Sequence, residues 1–136
     1  MKKYKRPKNT KVYILGFSFG ALTAFLSESK TKPTAIILGS LSPYFKEDLP
    51  KLPKSWSRFF KKNYPNSEYS FNELAPRIKT KIFLVAGDKE GPEVARRIKA
   101  AKKLIRKNSL TIAKGAKHRI SQKKYLIGVQ KAIDKL

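Results

Sequence analysis

Cysteine is absent from the sequence, which excludes a disulfide framework and any thiolate-ligated metal centre. There is one histidine, His118, so a histidine-rich metal site is excluded as well. The lack of cysteine fits a reducing compartment, and the cytoplasm is the expected location. Acidic side chains are scarce: 9 Asp and Glu stand against 32 Lys and Arg, a formal charge of +23. Long apolar runs are also missing. The longest uncharged and mostly apolar stretch, Val12–Leu26, falls short of the ~20 residues that a membrane-spanning helix needs. It follows a basic lead-in, Met1–Lys11, as the apolar region of a secretory signal would. The spacing of glycine and serine inside it favours a different reading. No internal repeat or low-complexity tract is present.

So basic a chain attracts polyanions at low salt. Nucleic acid or an anionic membrane surface is one implied partner. Yet lysine far outnumbers arginine, the residue that makes bidentate base contacts, and the cations are spread along the chain. A solvated basic surface is therefore favoured over a nucleic-acid interface. The 136 residues suffice for one domain with a substantial core.

Within the uncharged stretch stands Gly16-Phe17-Ser18-Phe19-Gly20. An apolar run that reads as a strand, Lys11–Leu15, precedes it, and an Ala-rich run that reads as a helix, Ala21–Ser27, follows. G-x-S-x-G between strand and helix is the spacing of a nucleophile elbow. The serine sits on a sharp turn with its hydroxyl exposed. The glycines are expected to leave room where backbones approach closely. The helix that follows directs N–H groups toward the serine and favours negative charge there.

Two further segments share this logic. Val85-Ala86-Gly87-Asp88-Lys89-Glu90 ends the apolar run Ile82–Val85, and Ala113-Lys114-Gly115-Ala116-Lys117-His118 follows Leu110–Ile112. The chain order is thus serine, carboxylate, histidine, each at the C-terminal end of an expected strand.

In these motifs the chain resembles the C-terminal half of an α/β-hydrolase, from the elbow strand to the last helix, over essentially all its length. The resemblance implies a carboxylesterase-like serine hydrolase acting on a small-molecule ester or related acyl substrate, with no cofactor or metal. It places the acid in a G-x-x-D turn, here Gly87-Asp88-Lys89-Glu90, so Glu90 holds the acid position and Asp88 is the alternative. Glutamate departs from the more usual aspartate. It places the histidine in a G-x-x-H turn, which Gly115-Ala116-Lys117-His118 matches. Ser18 is then the nucleophile, Gly16 and Gly20 the elbow glycines, and the backbone N–H of Phe19 one oxyanion donor.

Along the rest of the chain, residues 1–10 form a basic lead-in and Thr34–Leu38 a short buried strand. Residues 40–79 differ in character. Five of the eight prolines fall there, with Tyr44, Phe45, Trp56, Phe59, Phe60, Tyr64, Tyr69 and Phe71. The resemblance marks this excursion as a cap or lid, with a short helix around Ser55–Lys62. Its aromatics either roof the serine or pack the excursion onto the body. Gly91-Pro92 opens a helix to about Lys107, with Val94, Ile98, Ala101 and Ile105 on its apolar face and Arg96, Arg97 and four further cations on the solvated one. Leu126, Val129, Ile133 and Leu136 mark the apolar face of the last helix. This alternation implies one α/β domain over residues 1–136, a parallel sheet of about four strands flanked by helices.

Several strands precede the elbow in a complete α/β-hydrolase; here only ten residues precede the elbow strand. The resemblance therefore implies an incomplete oxyanion hole and an elbow strand left at a sheet edge. An edge of this kind invites self-association or a partner chain. The alternative to an enzyme is a non-catalytic or fragmentary module that binds a polyanion or a protein through its basic surface.

Overall fold

A computed structural model describes residues 7–56, 58 and 69–136. Four parallel strands form one sheet in the order β1 (Tyr13–Phe17), β2 (Ala35–Gly39), β3 (Lys81–Gly87) and β4 (Asn108–Ala113). Phe17 stands opposite Gly39, and Gly39 opposite Val85. The C-terminal ends of three strands therefore lie side by side. The helices include α1 (Phe19–Thr31), the one-turn α2 (Phe71–Leu74), α3 (Pro92–Leu104) and α4 (Lys123–Ile133).

The period of two in the strands divides the core between the two faces. Ile36, Leu38, Ile82 and Leu84 pack with Phe25 of α1 and Ile98 of α3 on one face. Ile37, Phe83 and Val85 pack with Tyr125 and Val129 of α4 on the other. Every residue of β2 is buried, as its continuous apolar sequence requires. Helix α1 stops at Lys32, in the left-handed conformation just before Pro33, and the Lys32 N–H caps Glu28 O. Helix α3 starts where expected, at Pro92 after Gly91.

Three expectations need correction. Arg97 does not join the solvated face of α3. It is buried and ion-paired with Asp48 of the excursion, and its guanidinium lies over the rings of Phe71 (4.2 Å) and Phe45 (5.0 Å). The paired carboxylate and the aromatic faces replace part of the hydration that the guanidinium loses. In α4 the buried residues are Tyr125, Gly128, Val129 and Ala132, while Leu126, Ile133 and Leu136 are exposed. Gly128 seats the helix against Ala113 and Val85, which turns Tyr125 rather than Leu126 toward the sheet. Among the elbow glycines only Gly16 is crowded: a Cβ there would overlap the backbone of Gly20, whereas one on Gly20 would meet open space.

In the excursion, Phe45 and Phe71 are fully buried and stack with Phe25, so they pack the excursion onto the body. Trp56 and Tyr69 are exposed. Phe59, Phe60 and Tyr64, and most of the helix expected around Ser55–Lys62, lie outside the described residues. Strand β1 is an edge of the sheet, and its Tyr13 and Leu15 are 41% and 48% exposed.

Candidate active site

Ser18 follows β1 directly and occupies the N-cap of α1, with φ 55° and ψ −120°. This conformation costs a non-glycine residue roughly 1–3 kcal/mol. The Ser18 N–H donates to Gly39 O at the end of the neighbouring strand (2.8 Å), which holds the turn against β2. A serine at an N-cap ordinarily accepts from the first helical N–H groups. Ser18 makes no such bond; its Oγ lies 2.8 Å from His118 Nε2.

His118 arrives from the loop after β4, and that loop is tied to the β3 turn at three points. Lys89 N–H donates to Ala116 O (3.0 Å), Gly115 N–H donates to Asp88 Oδ1 (2.6 Å), and Gly87 packs directly against Ala116. The ties place His118 Nδ1 3.0 Å from Glu90 Oε1. Glu90 Oε2 accepts from Gly87 N–H at 2.7 Å. Its side chain is almost fully buried, while that of His118 is 43% exposed. The carboxylate is therefore fixed, and the imidazole bridges it to the serine at the surface.

Ser18, His118 and Glu90 are thus brought together in a line. Asp88, the alternative acid, is engaged with the Gly115 backbone instead. The Phe19 N–H stands at the first turn of α1, next to Ser18. Among the described residues no group of acidic and histidine side chains is arranged to hold a metal ion.

Three further residues belong to this constellation. Ser40 follows β2 as Ser18 follows β1, also at positive φ (51°), and its Oγ lies 2.6 Å from His118 Nδ1. Ser42 Oγ lies 3.4 Å from Ser18 Oγ. Both serines are buried. Tyr125 of α4 donates its hydroxyl to Val85 O (3.0 Å). Burial, and after it the charge of Glu90, push this phenol up, so it keeps its proton. Phe17 fills the space between, with ring centroids 5.1 Å from His118 and 5.2 Å from Tyr125. A signal for Ser40 and Ser42 was present in the sequence: Gly39-Ser40-Leu41-Ser42 follows a buried parallel strand, where sites in such sheets form. Tyr125 carried none, because its role depends on which face of α4 meets the sheet.

No protein-family model and no curated relative matches the sequence. Solved structures do match the fold. One is MGS-MChE2, an α/β-hydrolase enzyme from the metagenome of lagoon sediments (TM-score 0.69, 15% identity, 92% of this chain and 62% of that one). Another is the esterase EaEST from Exiguobacterium antarcticum (TM-score 0.67, 12% identity, 93% and 66%). A third is a CIB-like hydrolase from Thermoplasma acidophilum (TM-score 0.62, 16% identity, 92% and 50%). The chain spans about half to two thirds of the length of these structures. Over that span it has the α/β-hydrolase fold.

Proposed function

We propose that the protein is a serine hydrolase of ester or related acyl bonds, with Ser18 as nucleophile, His118 as general base and acid, and Glu90 as the acid that orients the imidazole. The observation that carries this reading is the 2.8 Å approach of Ser18 Oγ to His118 Nε2, with Glu90 on the opposite ring nitrogen. His118 Nε2 takes the hydroxyl proton as Ser18 Oγ bonds to the carbonyl carbon. The tetrahedral oxyanion accepts from the Phe19 N–H. The intermediate collapses, the carbon–leaving-group bond breaks, and His118 returns the proton to the departing alcohol or amine. Water, deprotonated by His118, then releases the acid from the acyl-serine and restores Ser18. Glu90 accepts from His118 Nδ1 and stabilises the imidazolium. Oxyanion holes usually offer two or more donors, and one missing donor costs about 3–4 kcal/mol of transition-state stabilisation. The excursion between β2 and β3 is read as the cap that shapes the acyl pocket. The expected location is the cytoplasm, and among the described residues no helix is long and apolar enough to cross a membrane.

The test is labelling of the folded chain with a fluorophosphonate probe, beside Ser18→Ala and His118→Ala. The reading expects labelling of the wild type that both substitutions abolish. A folded wild type that stays unlabelled would overturn it.

A second reading rests on a separate observation. A cleft of about 750 Å³ lies at the opposite end of the sheet from Ser18, lined by Lys32, Arg77, Lys79, Lys81 and Lys107. Its one carboxylate, Glu28, already accepts from Lys79 N–H, Thr80 N–H and the Thr80 hydroxyl. This basic surface suits a polyanion. Steep salt dependence of nucleic-acid affinity by an unlabelled chain would favour it.

A further inference from the structure

Segments far apart in sequence bring six cations to one trough. The basic cleft of about 750 Å³ adjoins a second of about 420 Å³, which shares Arg77, Lys79 and Lys107 with it and adds Arg106. With Lys32 and Lys81 these line the end of the sheet where the chain enters β2, β3 and β4.

Among the described residues none of the six joins an ion pair. Lys81 Nζ lies over the Phe83 ring at 4.9 Å, which leaves its charge uncancelled. The one carboxylate, Glu28, is buried and accepts from Lys79 N–H, Thr80 N–H and the Thr80 hydroxyl. It offsets at most one of the six charges. Cations just past a helix C-terminus ordinarily answer the helix dipole. That account covers Lys32 after α1, and Arg106 and Lys107 after α3. It does not cover Arg77, Lys79 and Lys81, which follow only one-turn helical segments. Holding these charges together costs free energy, and a bound anion relieves it.

The lining also selects among anions. Among the described residues it holds no aromatic side chain on which a base could stack. Four of the six cations are lysines, point charges rather than bidentate forks. Thr34 Oγ1 accepts from Val12 N–H (3.0 Å), so its own proton is left for an oxyanion. A nucleotide brings one backbone charge together with a sugar and a base. A phosphate in a condensed chain brings its charge with neither. Six cations in so small a trough match the denser chain.

We propose that this trough is a binding site for a condensed phosphate chain, of the kind in inorganic triphosphate and longer polyphosphates, at the end of the sheet remote from Ser18. The proposal rests on the second reading above, that the basic surface takes a polyanion, and it does not depend on Ser18.

Isothermal titration calorimetry of the full chain with inorganic triphosphate tests it, in about 0.1 M salt, where exposed charges more than about 10 Å apart are screened. Saturable binding is expected, with an affinity that falls as salt is raised. Arg77→Ala, Lys79→Ala and Lys107→Ala together remove the cations that both clefts share. This variant should bind at least about tenfold more weakly, the worth of one charge-assisted hydrogen bond. The control removes three cations from the Ser18 end: Lys89→Ala, Lys114→Ala and Lys123→Ala. The 7 residues of β3 separate the two ends by roughly 20 Å, so the control should bind within about threefold of wild type. An equal loss in both variants would overturn the proposal, because net charge and not the trough would then attract the ligand. A short thymidine oligonucleotide of matched charge that binds the trough as tightly would also overturn it, and would keep the second reading as a nucleic-acid surface. If neither ligand binds, both fall. Should either variant fail to fold, thermal unfolding of the wild type decides. Triphosphate should raise the midpoint well beyond what sulfate does at the same ionic strength, and equal shifts would overturn the site.

Discussion

Gly87 and Ala116 are in backbone contact: a Cβ added to Gly87 would overlap the carbonyl oxygen of Ala116. The contact joins the turn that carries Glu90 to the loop that carries His118. Gly87→Ala must push that loop away, so the His118–Glu90 geometry should fail before the fold does. The expected outcome is a loss of about 1–3 kcal/mol in stability, as for overpacking elsewhere, and a hundredfold or greater loss in labelling rate, about what a 1 Å misplacement costs. Gly20→Ala is the control. Open space surrounds it, it lies in α1, and the change should be neutral or stabilising by up to ~1 kcal/mol. Urea denaturation and probe kinetics on both variants check the pair.

The buried ion pair between Arg97 and Asp48 clamps the excursion to α3. Asp48 also accepts from Phe45 N–H at 3.1 Å, whereas Arg97 Nη1 has no hydrogen-bond partner among the described residues. Asp48→Ala would leave the guanidinium uncompensated and should cost about 3–5 kcal/mol. Replacing Arg97 by Met in that background should recover a large part of the loss, because the stranded charge is gone. Denaturation midpoints of the two single variants and the double variant measure the coupling.

Acid should weaken the excursion through Glu47. Burial pulls this carboxyl up, but the Ser70 hydroxyl and the N–H groups of Phe71 and Asn72 together outweigh it and hold it below its usual 4.5. With the folded value depressed, its stabilisation is present above pH 4.5 and is lost as the pH falls through the folded value. Glu47→Gln should flatten that part of the acid limb and cost about 1 kcal/mol near neutrality, the size of a lost N-terminal cap. Urea midpoints measured across the acid range test it; parallel curves for wild type and variant would refute the assignment.

Among the described residues strand β1 is paired on one side only, with Tyr13 and Leu15 exposed beside the open edge. Self-association through this edge predicts a sedimentation coefficient that rises with concentration. Tyr13→Lys with Leu15→Lys should return the chain to monomer, since charge on an edge discourages pairing. A wild type that stays monomeric at all concentrations would leave the edge for a different partner chain.

The sequence alone determined the features that depend on short spacings. Gly16-Phe17-Ser18-Phe19-Gly20, Gly87-Asp88-Lys89-Glu90 and Gly115-Ala116-Lys117-His118 each place a polar side chain on a turn just after an apolar strand. The β-strand and helix periods around them are local properties, so a parallel sheet of about four strands, with Ser18, Glu90 and His118 each just past the end of a strand, was legible from it. Tertiary structure decided what depends on contacts between distant segments. Asp88 and Glu90 differ little in sequence, and only the approach of the Gly115 backbone assigns Asp88 to the loop and leaves Glu90 for the imidazole. Arg97 reads as one more surface cation until Asp48, 49 residues away, meets it in the core. Tyr125 and Leu126 are equally plausible core residues by periodicity. The packing of Gly128 on Ala113 and Val85 chooses Tyr125 and thereby carries its hydroxyl to Val85 O. Periodicity specifies that a helix has an inner face. The rotation of that face is set by which backbones can touch, and local sequence does not encode that.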